Sequence, residues 1–160
     1  MRNVPTMIWG IAIGAVLSLT ITAAQPSRSQ TAEEVITITK AEWAARAAKN
    51  VSDAVKNVVE ECTMFVPAFP SRLDGETQIF NLFEAGAGDS GTMVMAEMAG
   101  EKVQVYGDVA ILSNNYMGMD KDARVTVEPT RAKSTRVYVK KGRQWLLVHA
   151  NFAPAPAPNG

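Results

Sequence analysis

The order of the periodicities predicts an α+β fold. Apolar residues recur every three or four positions through Trp43, Ala47, Val51, Ala54, Val55, Val58 and Cys62, and again around Ile79 and Phe83. From Thr92 onward they alternate singly, with turn residues between the runs. Helices followed by antiparallel strands define that class. The 160 residues, 47% hydrophobic and 20% charged, provide for one domain with its own core.

The N-terminus is set apart from this domain. Arg2 is the sole charge before an apolar run over residues 7–24, which ends in Thr22-Ala23-Ala24. A positive start, an apolar middle and small closing residues mark a secretory signal peptide, so residues 1–24 are expected to be removed and the protein exported, to a periplasm or as a secreted chain. The rival is an uncleaved membrane anchor, because the run is long enough to span a bilayer. Residues 25–38 are polar and read as a flexible leader.

The domain is expected to run from residue 39 to 153. Thr39-Lys40-Ala41-Glu42 has the spacing of a capping box, in which Thr39 and Glu42 satisfy free amide donors at a helix start. The helix it opens carries Lys40, Arg46, Lys49, Asp53 and Lys56 mainly on its far side and continues to Cys62. Residues 64–70 are apolar but broken by Pro67 and Pro70, which suits a short edge strand. Asp74-Gly75 turns the chain into a second helix over 76–85, with Ile79, Phe80, Leu82 and Phe83 toward the core and Gly86 to end it. Strands follow over 92–99, 102–106, 109–117, 134–140 and 145–152. They are separated by Gly107-Asp108, by a polar loop over 119–130, and by a tight turn at Lys141-Gly142-Arg143. The tail, residues 154–160, continues an Ala-Pro alternation that favours an extended, solvated chain.

Composition excludes several functions. Sixteen Lys and Arg balance sixteen Asp and Glu, which argues against nucleic acid as a partner. One cysteine, Cys62, allows no internal disulfide and no multi-cysteine metal site. Cys62 reads as a small core residue, since no motif supplies it with a base. One histidine, His149, allows no His-paired metal centre. Residues 86–91 match G-x-G-x-x-G, but between a helix and a strand, the reverse of the dinucleotide order. Met93, Met95, Met98, Met117 and Met119 have thioether spacing suited to copper(I), and equally the character of ordinary pocket fillers. Asn50-Val51-Ser52 is a glycosylation sequon placed mid-helix. No metal or cofactor is expected.

Gly107-Asp108 before a strand, then Thr135-Arg136-Val137-Tyr138 leading through a basic glycine turn to Trp145-Leu146-Leu147-Val148-His149, resembles the nuclear transport factor 2-like superfamily. The resemblance is to SnoaL-like domains and to the association domain of calcium/calmodulin-dependent protein kinase, and the Leu73-Asp74-Gly75 turn before a short helix shares it. It implies a curved sheet wrapped around the long helix, a cone-shaped apolar pocket between them, and a homodimer through the outer sheet face. It also implies that Ser134, Arg136 and Tyr138 face inward. The kinase domain's other pocket arginines are replaced by Asn115 and Phe152, and its second histidine by Asn151.

On that basis the cone is expected to be lined by Trp43, Phe65, Phe80, Asn115, Met117, Arg136, Tyr138 and Phe152. Arg136 would hold a carboxylate or pair with a protein acid. His149 is placed on the outer face, and with Tyr138 is a weak candidate for acid–base chemistry. The expected function is binding of a small, largely apolar molecule, which could carry a carboxylate. The alternatives are an isomerase, cyclase or hydrolase on a small organic substrate, and a non-catalytic homo-oligomerisation module. The expected partners are a second copy of the chain and a small molecule, with no membrane contact once the signal is removed.

Overall fold

The structure is a computed structural model that describes residues 27–87, 92–121 and 127–156. The expected signal peptide and the last residues of the tail lie outside the described residues. Among the described residues no helix is long and apolar enough to cross a membrane.

The first helix, α1, spans Arg28–Ala47. Its N-cap is Ser27, whose hydroxyl accepts from the Gln30 amide at 3.2 Å. Residues 28–38 are therefore helical rather than a flexible leader, and Thr39 lies mid-helix rather than at a cap. The reason is the character of the buried stripe: Thr31, Val35, Thr39, Glu42 and Trp43 repeat at helical spacing, but three of the five are polar. Thr39 and Glu42 are buried because partners wait for them, Tyr138 and Arg136, not because they are apolar.

The helix also stops earlier than its periodicity suggested. Lys49 takes the left-handed conformation (φ 60°), which ends a helix even without glycine. Asn50 then caps a short helix α2, Val51–Val55, by accepting from the Asp53 amide at 3.1 Å. Past this corner the chain becomes strand β1, Val58–Phe65, so Cys62 sits on a strand. Strand β2 (Leu73–Asp74) and helix α3 (Glu76–Ala87) follow, then β3 (Thr92–Tyr106), β4 (Val109–Lys121), β5 (Val127–Lys141) and β6 (Gln144–Pro154).

The curved sheet has the order β2-β1-β6-β5-β4-β3. Strands β3 to β6 form an antiparallel meander, and β1 lies parallel to β6. The apolar segment before Pro67 is thus an interior strand, with its edge covered by β2. The two strands expected over 92–106 are one, with an irregularity between Ala99 and Lys102 where Gly100 has positive φ (62°). The described parts of the polar stretch 119–130 are ladder: Met119 pairs with Pro129 and Lys121 with Val127 across β4 and β5.

Helix α1 packs on β3 and β4, α3 on β1. The core between them includes Val35, Cys62, Met64, Ile79, Leu112 and Leu147. Burial pushes the Cys62 thiol up to about 12, so at neutral pH it stays protonated.

One irregularity in the ladder decides which way β6 faces. Tyr138 pairs with Leu147 but Val137 pairs with His149, so β6 holds one extra residue. Trp145 and Leu147 are buried before the bulge, and Ala150 after it. His149 therefore faces away from Trp145 and Leu147, although strict alternation along the strand would put all three on one face.

Candidate functional site

The inner face of β4 and β5 presents three successive cross-strand pairs: Leu112 with Arg136, Asn114 with Ser134, and Tyr116 with Ala132. All six are buried. Phe152 on β6 stands opposite Ser134. Helix α1 brings Thr39, Glu42 and Trp43 against them.

Arg136 is fully buried and forms an ion pair from Nη2 to Glu42 Oε2. Its Nε donates to the Tyr138 hydroxyl at 3.0 Å. Tyr138 Oη lies 2.7 Å from Thr39 Oγ1, and Thr39 in turn donates to the Val35 carbonyl at 2.9 Å. A hydroxyl has one proton, so the directions are fixed: Arg136 donates to Tyr138, Tyr138 to Thr39, and Thr39 to the helix backbone. Burial alone would lower the Arg136 pKa, but the adjacent Glu42 and Tyr138 outweigh it and the guanidinium is held above its ordinary range. Burial, reinforced by Glu42 and opposed by Arg136, raises the Tyr138 pKa, so the phenol keeps the proton that the chain of bonds requires.

This arrangement limits what Arg136 can do. With Nε on Tyr138 and Nη2 on Glu42, Nη1 alone is left, so the bidentate clamp on a ligand carboxylate is not available. The counter-charge comes from Glu42, a residue the sequence offered only as a cap partner.

Above the ion pair stand three aromatic rings. Trp43 meets Tyr116 edge to face at 5.2 Å, and Tyr116 meets Phe152 the same way at 5.7 Å. Tyr116 folds over Gly118, where a Cβ would come within 2.7 Å of the ring carbons Cε1 and Cζ. Tyr116, Ala132 and Phe152 form one side of a cleft of about 320 Å³, closed on the others by Met64, Leu82, Phe83 and Pro154, with Arg46 and Arg131 also lining it. The Arg46 guanidinium lies 4.2 Å over the Phe83 ring.

Six buried polar atoms in this region have no hydrogen-bond partner among the described residues: Glu42 Oε1, Trp43 Nε1, both amide atoms of Asn114, Ser134 Oγ and Arg136 Nη1. A larger hollow of about 470 Å³ lies between α1 and the β5–β6 turn, lined in part by exposed Glu33, Arg143 and Gln144. It contains none of these atoms. Among the described residues no group of His, Cys, Asp or Glu could hold a metal ion.

The expected cone residues divide into three sets. Trp43, Arg136, Tyr138 and Phe152 converge on the interior. Phe80 is half-buried against the core, and its α3 neighbours Leu82 and Phe83 line the cleft instead. Phe65, Asn115 and Met117 point to the outer face and are exposed, Phe65 by 44% and Met117 by 39%. On β4 the cause is an ambiguous pattern: Asn114 and Asn115 are both polar, Tyr116 and Met117 both apolar, so alternation alone cannot choose a face. On β1, Cys62 and Met64 take the inward positions and leave Phe65 outside. His149 also faces out, with Nδ1 2.8 Å from Thr63 Oγ1 and its ring 6.1 Å from that of Phe65.

An antiparallel meander curved around an N-terminal helix, with a cleft at the open end of the cone, defines the nuclear transport factor 2-like fold. A family profile described as the calcium/calmodulin dependent protein kinase II association domain matches residues 31–156. The chain belongs to that family. Solved structures agree on the fold. A nuclear transport factor 2-like superfamily protein from Salmonella enterica superposes with a TM-score of 0.72 at 17% identity, over 84% of this chain and 96% of that one. The hub homology domain of the kinase from Chlamydomonas reinhardtii gives 0.66 at 22% identity, over 79% and 99%. The association domain from Caenorhabditis elegans gives 0.65 at 17% identity, over 78% and 96%. No curated protein matches the sequence.

Proposed function

We propose that the chain is an exported domain that binds a small, largely apolar molecule at the open end of its cone. The observation that carries this reading is the cleft of about 320 Å³ with Tyr116, Ala132 and Phe152 along one side. Its volume is that of a small-molecule site, and aromatic walls with a few polar groups are the usual lining of one. The test is native mass spectrometry of protein purified from its source. A bound mass is expected, and it should be lost from Ala132→Trp, which fills the cleft. A ligand-free mass for the wild type under gentle desolvation, with no uptake of small aromatic probes, would defeat the reading. Export rests on the apolar run of residues 7–24. N-terminal sequencing of the exported form should begin at or near Gln25, whereas the intact chain in the membrane fraction would indicate an anchor.

A second, compatible reading is self-association. Val109, Ile111, Val137 and Val139 are half-exposed and sit opposite one another on the outer face of β4 and β5. An apolar patch on a sheet face of one chain suits a two-fold partner bearing the same patch. Light scattering should give a dimer mass for the wild type and a monomer mass for Val137→Glu, which places a charge at the centre of the patch. A wild type that stays monomeric at high concentration would sink this reading.

The catalytic alternative needs a proton acceptor at the ligand. Among the described residues Glu42 is the one buried carboxylate, and its Oε2 is engaged by Arg136. Tyr138 is bonded on both sides, and His149 lies on the other face of the sheet. No observation favours catalysis over binding.

A further inference from the structure

A bulge near the start of β3 sorts the methionines that the sequence set in a thioether pattern. Met93 pairs with Asp120 and Met95 with Met119, so Val94 is the extra residue on β3. Two residues apart on a regular strand, Met93 and Met95 would share a face. The bulge parts them. Met93 is 6% exposed and packs with Trp43 and Tyr116, whereas Met95 is 42% exposed opposite Met119. Met98 is half-buried against the core. Met117 and Met119, on the outer face of β4, are 39% and 37% exposed. Met93 and Met98 are thus the core fillers, and Met95, Met117 and Met119 fill no core.

The three exposed side chains stand at the corners of a triangle. Met95 is directly opposite Met119, and Met117 is the next outward residue along β4. Opposite residues on one face are about 5 Å apart and diagonal ones about 7–8 Å, within reach of long side chains. A methionine is unbranched with three rotatable bonds, so three sulfurs can turn to one point above the sheet. The trio lies about 20 Å along β4 from Ile111, clear of the valine patch. Its surroundings leave recognition to sulfur. Glu97 stands opposite Met117 on β3 and Arg131 opposite it on β5, both exposed, so their charges offset each other. Thioethers are soft donors suited to copper(I), whereas magnesium and calcium take oxygen ligands.

We propose that Met95, Met117 and Met119 form a three-sulfur site for copper(I) on the outer face of β3 and β4, with the bulge at Val94 turning Met95 into it. Bulges commonly re-aim a side chain at a site in this way. The ion arrives as copper(I) and is held with no change of oxidation state. The site is on the other face of the sheet from the cone and stands independently of the small-molecule reading.

Silver(I) is the first probe, since it shares the softness of copper(I) and does not oxidise in air. It is titrated into the intact protein while the methionine methyl signals are followed by NMR. The methyls of Met95, Met117 and Met119 are expected to shift together and to saturate at one ion per chain, with Met93 and Met98 left in place. Copper(I), kept reduced with ascorbate in the absence of oxygen, should give the same shifts, and zinc(II) should give none. Met119→Leu should bind either soft ion at least tenfold more weakly. Leucine keeps the surface apolar, so the variant separates a metal site from a face that merely packs against another protein, and a melting curve confirms that it is folded. Met95→Leu is the second variant and should lose as much. Binding unchanged in both variants would overturn the site. So would silver or copper(I) that moves none of the three methyls, having gone to Cys62 or His149 instead, and so would zinc(II) that moves them as readily as silver.

Discussion

Arg136→Met is expected to lower the stability of the protein by about 3–5 kcal/mol, the usual cost of removing one partner from a buried ion pair. The methionine itself is not the difficulty, since it is apolar and close to arginine in length. The cost arises at Glu42, which is 7% exposed and is left buried without its counter-charge. Tyr138 loses the donor on its hydroxyl in the same step. A melting curve should fall by roughly 10 °C or more for a domain of this size. Glu42→Gln combined with Arg136→Met should recover much of the loss, because the stranded charge is gone. A fall of less than about 1 kcal/mol in the single variant would mean that the pair is solvated and the interior is not as described.

Trp43→Ala should cost a similar amount, about 3–5 kcal/mol, as large-to-small changes of buried aromatic residues do. The side chain is 2% exposed and supports Tyr116 edge to face. Removing it leaves a void beside the cleft and frees Tyr116 to tilt into it. In urea unfolding the midpoint should fall while the slope stays unchanged, which marks a loss of native stability rather than a change in the unfolded chain. Trp43→Phe keeps an aromatic edge against Tyr116 and should lose much less. Equal losses in the two variants would show that the indole makes no specific contribution.

The sequence made the sheet legible where polar and apolar residues alternate cleanly. Strand β5 alternates cleanly, but the choice of its inner face came from the family resemblance: Ser134, Arg136 and Tyr138 are inside, and the apolar Val137 and Val139 outside. The turns at Gly107 and Gly142 were equally legible, because both glycines need positive φ (59° and 64°). Legibility failed where the physical cue is not hydrophobicity. The buried stripe of α1 is half polar, so its first turns passed for a leader. Lys49 reverses the helix in a conformation that composition does not forecast. On β4 two successive polar residues followed by two apolar ones hid which face was inner, and this cost Asn115 and Met117 their expected places. Glu42 and Asn114 were not recognisable from a single strand or helix, since their role depends on Arg136 and Ser134 across the interior. A carboxylate next to Trp43 on the inner side of the helix was the one available hint.

The polar stripe of α1 has a consequence for the order in which the chain folds. Glu42 and its partner Arg136 are 94 residues apart, and Thr39 and Tyr138 are 99 apart. A helix whose inner face is Thr31, Thr39 and Glu42 gains little by collapsing on its own, whereas the β3–β6 meander closes through short-range hairpins. The meander is therefore the expected nucleus, and α1 the last piece to dock. Mutations at Val137 or Leu112 should slow folding, while Thr39→Ala should mainly speed unfolding. Helix α1 leaves the ribosome before the meander and is then the last piece to find its place, held waiting until β5 has been made.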